Sequence, residues 1–545
     1  MQDKLLIISS GCIAFCYHIV NPDYGFNLAL IFAPTNNLVG VYMHRLRYFL
    51  AGSLLILVLA SCDHRDGGLN PLAENVSSFR ELASTDLGGT AASEISAYDP
   101  LSQRLFTVNN ETVAKVEVLD FSTGTSLTRL SAIDVSALGG VANSVAVSNG
   151  RLAIALEAAN KQATGSVVIV DTRTLAVLKT ISVGALPDMV TFSPDGRYIV
   201  TADEGEPNAA YTIDPVGSVS IIDIANNYSV KALTFETFES QKTALLASGF
   251  RLFGPKATLA QDIEPEYVAI SPDSRKAWVT LQENNGIAEV DLVAGSILRI
   301  WPLGTKDVSL ASNAIDPSDR DNKIELATWP VRTFYLPDAL AHFEANGGSY
   351  LITADEGDTR DYSGYSEEAR ISTLALDPVI FPNGAALKNA ANLGRMVVTK
   401  SLGDTDGDGD YDVLYGIGGR GFSIFNANTG QRIYFSGKTL EEKVIAAGLY
   451  DDTRSDDKGI EAEGVTVGTI NGRAVAFIAL ERVDAIAIYD LSDPANPQFR
   501  QLLPTGDAPE GVHFVPASNS PTHRSLLIVS CEGDGTVKVY QPDLL

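Results

Sequence analysis

The chain is short of the residues that most often carry chemistry. Its 545 residues include six histidines, four cysteines, four methionines and three tryptophans. Past residue 79 the only histidines are His342, His513 and His523. Cys12 and Cys16 lie in an apolar leader, Cys62 follows a second apolar run, and Cys531 stands alone in the last strands. The body therefore has no internal disulfide to make, and it lacks a Cys-x-x-Cys pair. There is no Gly-x-Ser-x-Gly elbow, no His-Glu-x-x-His and no phosphate-cradling glycine loop with its lysine, so three common catalytic routes have no motif here. Positive charge is also scarce: 40 Lys and Arg stand against 67 Asp and Glu, a net charge of −27. That balance argues against nucleic acid or an anionic membrane surface as partner, and favours metal ions, basic proteins or mineral.

What is plentiful is strand and turn chemistry. Hydrophobic residues make up 45% of the chain, with 46 glycines and 24 prolines punctuating short Val-, Ile- and Thr-rich runs; this composition suggests many short strands and tight turns. Near the N-terminus, 43-MHRLRYFLAGSLLILVLASC-62 has basic Arg45 and Arg47, an apolar run too short to span comfortably, and Leu59-Ala60-Ser61-Cys62 at its end. It looks like a bacterial lipobox, with 43–61 as signal peptide and Cys62 as the lipidated residue anchoring the chain in a bacterial cell envelope, whether outer membrane, periplasm or cell surface. A signal peptide acts at a chain terminus, so Met43 is the expected start and residues 1–42 an extension without function. Residues 62–78 read as a polar tether.

From residue 79 three strand types recur in order. The first is a short apolar strand preceded by an acid, as in 187-PDMVTFS, 265-PEYVAIS, 337-PDALAHF and 509-PEGVHFV. The second is β-branched, as in 152-LAIALEA, 198-YIVTADE, 277-AWVTLQE and 350-YLITADE. The third alternates and often closes in aspartate, as in 166-SVVIVD, 218-SVSIID, 371-ISTLALD and 485-AIAIYD. Such units predict an all-β chain folded as a single β-propeller over 79–545. Counting third-type strands favours eight blades, with seven as the alternative because one unit is irregular. The last unit lacks a fourth strand, and 79-FRELAST-85 is predicted to supply it and close the ring. The same repeats place acids at two recurrent positions: Glu94, Asp188, Glu266, Asp338, Glu463 and Glu510 before the first strand, and Glu111, Glu157, Glu204, Glu283, Glu356, Glu481 and Glu532 after the second. In a propeller those positions share one face, so two concentric carboxylate rings are expected around the channel mouth. Crowded like charges raise one another's pKa unless cations offset them. Glu204, Glu356 and Glu463 are therefore candidate metal ligands.

A second candidate is 404-DTDGDGDYD-412. Alternate oxygen ligands can wrap a hard cation, and Gly409 permits the sharp turn. Asp404, Asp406 and Asp408 are expected to offer side chains, Asp410 a carbonyl, and Asp412 a further or water-mediated ligand. Tyr415 stands where an EF-hand has its glutamate, so a calcium site in a propeller loop is the expectation.

Taken together, 165-GSVVIVDTRTLAVLKTISVGALPDMVTFSPDGRYIVTADEGEPN-208, 349-SYLITADEGDTRDY-362, the 404–412 loop, 418-GGRGFSIF-425 and 463-EGV-465 resemble the choice-of-anchor I family. That family is similar to mesenchyme-specific cell-surface glycoproteins and to WD40- and YVTN-type repeat propellers. The resemblance implies a surface-anchored propeller; some relatives have been described as atypical alkaline phosphatases. The chain has Ala-Asp-Glu-Gly where Asn-Glu-Gly is the family pattern, a further acid at the mouth.

Two functions fit these residues. One is a calcium-stabilised, non-catalytic surface module, expected to be a monomer, that binds a cationic, mineral or protein partner. The other is a metal-dependent phosphomonoesterase. In it, Glu204 and Glu356 hold Ca2+ against a phosphorylated substrate, and Arg360, with Arg420, neutralises charge developing on phosphate oxygens.

Overall fold

The computed structural model describes residues 73–255 and 257–545, together with the backbone of three N-terminal strands. The segment read as a signal peptide, 43–61, Cys62 and the segment read as a tether, as far as residue 72, lie outside the described residues. Met1–Leu69 separates as its own unit, in which Lys4–Ser9, Cys12–Val20 and Phe26–Ala33 pair antiparallel in that order.

In the larger unit, Asn70–Leu545, strands follow one another as antiparallel meanders. Among the described residues seven such sheets repeat. Their first strands are Ser96–Asp99, Ala142–Ser148, Pro187–Phe192, Pro265–Ile270, Leu340–Ala345, Ala462–Ile470 and Pro509–Val515, and define blades one to seven here. Each first strand packs on the next, and the last returns to the first, where Ser96 and Ser530 share a 2.6 Å hydroxyl hydrogen bond. The protein is an all-β propeller.

Burial follows radial position. Second and third strands are covered on both faces by neighbouring blades, so Leu152–Leu156 and Val167–Val170 are wholly buried and read as unbroken apolar runs. Fourth strands lie at the rim and expose most of their length, as Ser229–Thr234 does. The Ser193-Pro194-Asp195-Gly196 turn is held by its own side chains: Ser193 Oγ donates to Asp195 at 2.6 Å and accepts from the Tyr198 amide at 2.8 Å.

Ring closure is as expected, with a longer strand. Glu74–Asp86 pairs with Thr536–Leu544, from Asp86 opposite Thr536 to Glu74 opposite Leu544. The strand thus begins five residues before 79, inside the segment read as tether. The eighth unit, by contrast, does not form a sheet. The run 371-ISTLALD begins as a 3-10 turn, Ile371–Thr373, with Ile371 and Leu374 buried beside Val308, Leu393, Met396 and Leu414. The third strand of blade five is Gly421–Asn426, which pairs with Gly348–Asp355. Residues between them, with the link from blade four, build a satellite sheet: Thr305–Asp307, Arg332–Phe334, Tyr415–Gly416, Val397–Thr399 and Glu368–Arg370. Period-2 alternation marks a two-sided environment, and the satellite core supplies one as well as a blade does.

Candidate functional site: the acidic mouth of the channel

The two Asp-Glu-Gly copies divide their labour residue by residue. Asp203 turns into its sheet and accepts from Thr201 (2.7 Å), Ser218 (2.9 Å) and Ser220 (2.6 Å); burial still pushes its carboxyl up to about 6. Asp355 does the same with Thr353 (2.7 Å) and Ser423 (2.5 Å), and burial takes it to about 7. Gly205 and Gly357 have φ of +77° and +104°. At 357 a Cβ would sit 2.4 Å from the Gly418 Cα, so only glycine lets the chain turn there. Between them, Glu204 and Glu356 are 9% and 8% exposed and enter the charge cluster of the mouth.

The first-strand acids interact as a ring. Burial first, and then the charge of Glu532, raises Glu94 to about 8. Burial and Glu206 raise Asp188 to about 6. Glu266, Asp338, Glu463 and Glu510 are driven well above the carboxylate range, each by burial and then by neighbouring acids. Asn143 takes the blade-two place and donates to the Pro187 carbonyl at 3.3 Å. In the outer set Glu204 and Glu283 are raised well above that range, by burial and surrounding carboxylates, and burial raises Glu481 to about 7. Glu111 does not join them. It is exposed and accepts from the Gly89 amide at 2.7 Å, while Asn110, one residue earlier, donates to Glu94 at 2.7 Å.

Ligand oxygens of Asp338, Glu356 and Glu463 lie within 4.8 Å of one another, and those of Glu356, Glu461 and Glu481 form a second such group. Glu204 joins neither. The charge at this spot comes from a lysine the sequence reading missed. Lys458 Nζ is 2.5 Å from Glu356 Oε1 and 3.7 Å from Glu461, and those acids raise its pKa against the opposing effect of burial. Gln282 donates to the other Glu356 oxygen at 2.8 Å. The available signal was 458-KGIEAEGV-465, a lysine just ahead of a first-type strand. Lys161 sits 3.0 Å from Glu206 on the other side.

The arginines go elsewhere. Arg360 is buried, pairs with Glu264, donates to the Asp262 carbonyl at 2.8 Å and lies 5.4 Å from the Phe253 ring. Arg420 is buried too, donating to the carbonyls of Asp316 (2.8 Å), Ser455 (2.7 Å) and Asp457 (2.7 Å). Both guanidiniums are buried and bond loop carbonyls, away from the solvent-facing position expected of them beside a phosphate. His513 is held neutral, burial lowering it to about 4. It lines a cavity of about 360 Å³ with Tyr98 and Pro516, at the end of the first strands away from the acids.

The 404–412 loop belongs to the blade-five insertion. Asp404 accepts from the amides of Gly407 (2.7 Å) and Gly409 (3.0 Å), and Gly409 has φ +98° with open space around it. Asp404, Asp406 and Asp412 form one potential cation group, and Asp377, Asp410 and Asp412 a second. Asp408 is in neither. Asp410, expected to act through its carbonyl, presents its side chain beside Asp377, which the sequence reading did not include.

Known proteins can now be set beside this geometry. A choice-of-anchor I domain matches residues 94–494. Gigasin-3a of Magallana gigas is 30% identical over 189 residues, covering 28% of this chain and 66% of that protein. The mesenchyme-specific cell surface glycoprotein of Strongylocentrotus purpuratus is 26% identical over 295 residues, covering 46% of this chain and 38% of that one. The chain thus spans less than two thirds of each of these relatives. Among solved structures, hydrazine synthase of Kuenenia stuttgartiensis aligns at TM-score 0.45 and 13% identity over 84% of this chain and 97% of that one. The Pan2 WD40 domain of Neurospora crassa aligns at 0.44 and 10%, over 87% and 98%. The domain match extends over most of the propeller, and on that extent the chain belongs to the choice-of-anchor I family.

Proposed function

We propose that this protein is a surface-anchored β-propeller module that holds hard cations at the acidic mouth of its channel and engages a cationic, mineral or protein partner there. The observation that carries the reading is the convergence of Asp338, Glu356 and Glu463 within 4.8 Å, with the Lys458 ammonium beside Glu356. Oxygen-only ligands suit Ca2+, and a tethered ammonium keeps the group tolerable when no ion is bound. In this reading Cys62 carries a lipid anchor in a bacterial cell envelope, and the 404–412 loop is a structural calcium site.

A second reading, a calcium-dependent phosphomonoesterase, is favoured by one feature: the two carboxylate groups at the mouth share Glu356, as bridged two-ion centres do. With the arginines committed elsewhere, Lys458 is the cation placed to meet a phosphate.

Two measurements test these readings. Calcium titrated into the full chain is expected to release heat, and one binding equivalent of it to be lost when Asp338→Asn and Glu463→Gln are combined; an unchanged number of equivalents overturns the cation-binding mouth. p-Nitrophenyl phosphate is expected to show no chelator-sensitive turnover from about pH 6 to about pH 10; turnover lost in Lys458→Met with calcium binding retained selects the esterase instead. Separately, Asp406→Ala is expected to reduce the calcium-induced rise in melting temperature while leaving the calcium-free value unchanged. A full calcium response in that variant removes the loop as a calcium site.

A further inference from the structure

The two carboxylate groups at the mouth share Glu356 but differ in what already neutralises them. In the Glu356–Glu461–Glu481 group every member meets a cation. Lys458 Nζ sits 2.5 Å from Glu356 and 3.7 Å from Glu461. Arg454 lies 2.6 Å from one Glu461 oxygen and Arg482 3.2 Å from the other, and Arg482 also reaches Glu481 at 2.9 Å. In the Asp338–Glu356–Glu463 group only the shared residue meets one. Among the described residues no lysine or arginine pairs with Asp338 or Glu463, and Oε2 of Glu463 is shut off from solvent with no hydrogen-bond partner.

The fold fixes Lys458 at the junction. It stands in the turn ahead of the first strand of blade six, Ala462–Ile470. Arg420 donates to the Ser455 and Asp457 carbonyls of that turn at 2.7 Å each, and Gly459 N closes it on the Arg454 carbonyl at 3.0 Å. Gly459, at φ +70°, packs on the Arg420 side chain, where a Cβ would lie 3.1 Å from Cδ. The turn is thus anchored from blade five, and the lysine side chain, 17% exposed, is directed at the blade-five carboxylate. Gln282 of blade four holds the other Glu356 oxygen at 2.8 Å.

We infer that Lys458 sets the charge and number of the ions the mouth accepts: one divalent ion, held by Asp338, Glu356 and Glu463. The inference rests on the reading of the mouth as a cation-binding surface and specifies that site further. Ionised, the three carboxylates carry three negative charges. The fixed ammonium offsets one, and a divalent ion offsets the other two. A trivalent ion leaves positive charge in excess beside the lysine, and a monovalent ion leaves negative charge in excess; either imbalance is costly where water is largely excluded. The Glu356–Glu461–Glu481 group, already met by three side-chain cations, repels a second ion. On this inference the shared glutamate does not bridge two ions, and Lys458 is a specificity-determining residue.

The test is calcium and terbium(III), a trivalent ion that also prefers oxygen ligands, each titrated calorimetrically into the full chain. The Asp338→Asn, Glu463→Gln double variant marks the equivalent that belongs to the mouth. At that equivalent Lys458→Met is expected to tighten terbium relative to calcium by about tenfold or more, and Lys458→Arg to keep the unsubstituted preference. A lysine with only a structural role would weaken both ions alike. Lys458→Gln gives the same readouts should the methionine variant fold poorly. Glu481→Gln is expected to leave the number of calcium equivalents unchanged. A calcium-to-terbium preference that neither Lys458→Met nor Lys458→Gln alters overturns the inference, as does loss of an equivalent in Glu481→Gln. Either result can occur while the double variant still loses its equivalent, which separates failure of the lysine's role from failure of the cation-binding mouth. A double variant that loses nothing overturns both.

Discussion

In chelator, the melting temperature is expected to fall as pH rises from about 5 to about 8, and calcium is expected to flatten that slope. The carboxyls concerned have folded-state pKa values raised above their unfolded ones. The folded protein keeps protons that the unfolded chain has already released, so the stability they contribute is fully present below the ordinary carboxyl range and is lost as pH climbs through the folded values. Those values are about 6 for Asp188 and Asp203, about 7 for Asp355 and Glu481, and about 8 for Glu94, which sets the window. Each tenfold change in proton affinity corresponds to about 1.4 kcal/mol. Asp355, wholly enclosed by its sheet, carries its share nearly undiminished, whereas Glu94 and Glu481 are partly open to solvent and screened. His513 works in the opposite sense. Lowered to about 4, it makes the fold less stable as pH falls below the ordinary imidazole range, but it is one group against many. Calcium binds the ionised carboxylates and so favours the state that high pH creates. A melting temperature that rises between pH 5 and pH 8 in chelator would show that the mouth does not carry this electrostatic burden.

Replacing Arg420 with methionine is expected to cost about 3–5 kcal/mol of stability, the usual consequence of stranding a buried charge. Its guanidinium joins the carbonyls of Asp316, Ser455 and Asp457 and lies 3.7 Å from buried Glu441. Its backbone, at φ +56°, leads directly into the third strand of blade five. One side chain therefore pins the satellite sheet, blade five and the approach to blade six. Methionine keeps much of the volume but leaves Glu441 without that partner and three carbonyls without a donor. Lysine is expected to rescue little, because an ammonium cannot reproduce a planar fork aimed at separate acceptors. Urea denaturation measures the loss directly. A variant of unchanged midpoint and slope would return Arg420 to the list of residues free to meet a ligand.

Several features were legible from local pattern. The three strand types recur because every blade presents the same environment at the same radius, so each blade imposes the same apolar spacing. The closing strand was legible from an incomplete last unit, although its first five residues look polar; Ser78 and Arg80 bond Asp543 across the pairing, which no local pattern reveals. The carboxylate positions on either side of the strands were legible because loop position follows from strand order. Glu111 was misplaced by one residue because a run of Asn-Asn-Glu offers no internal marker of which residue faces the channel.

The amino-acid sequence by itself determined the repeat, the class of fold, the ring of acids and the shortage of positive charge, since each depends on short-range periodicity or on composition. Tertiary structure alone decided which charges meet. Lys458 reaches Glu356 across 102 positions, and Arg360 and Arg420 are drawn inward to Glu264 and Glu441 rather than outward to a ligand. Tertiary structure likewise assigned 371-ISTLALD to a satellite core and joined the two Asp-Glu-Gly loops to each other, where Gly364 N donates to the Ala209 carbonyl at 2.8 Å. Periodicity reports how far a residue is from solvent, whereas pairing depends on distance between segments remote in the chain, and only the closed ring sets those distances.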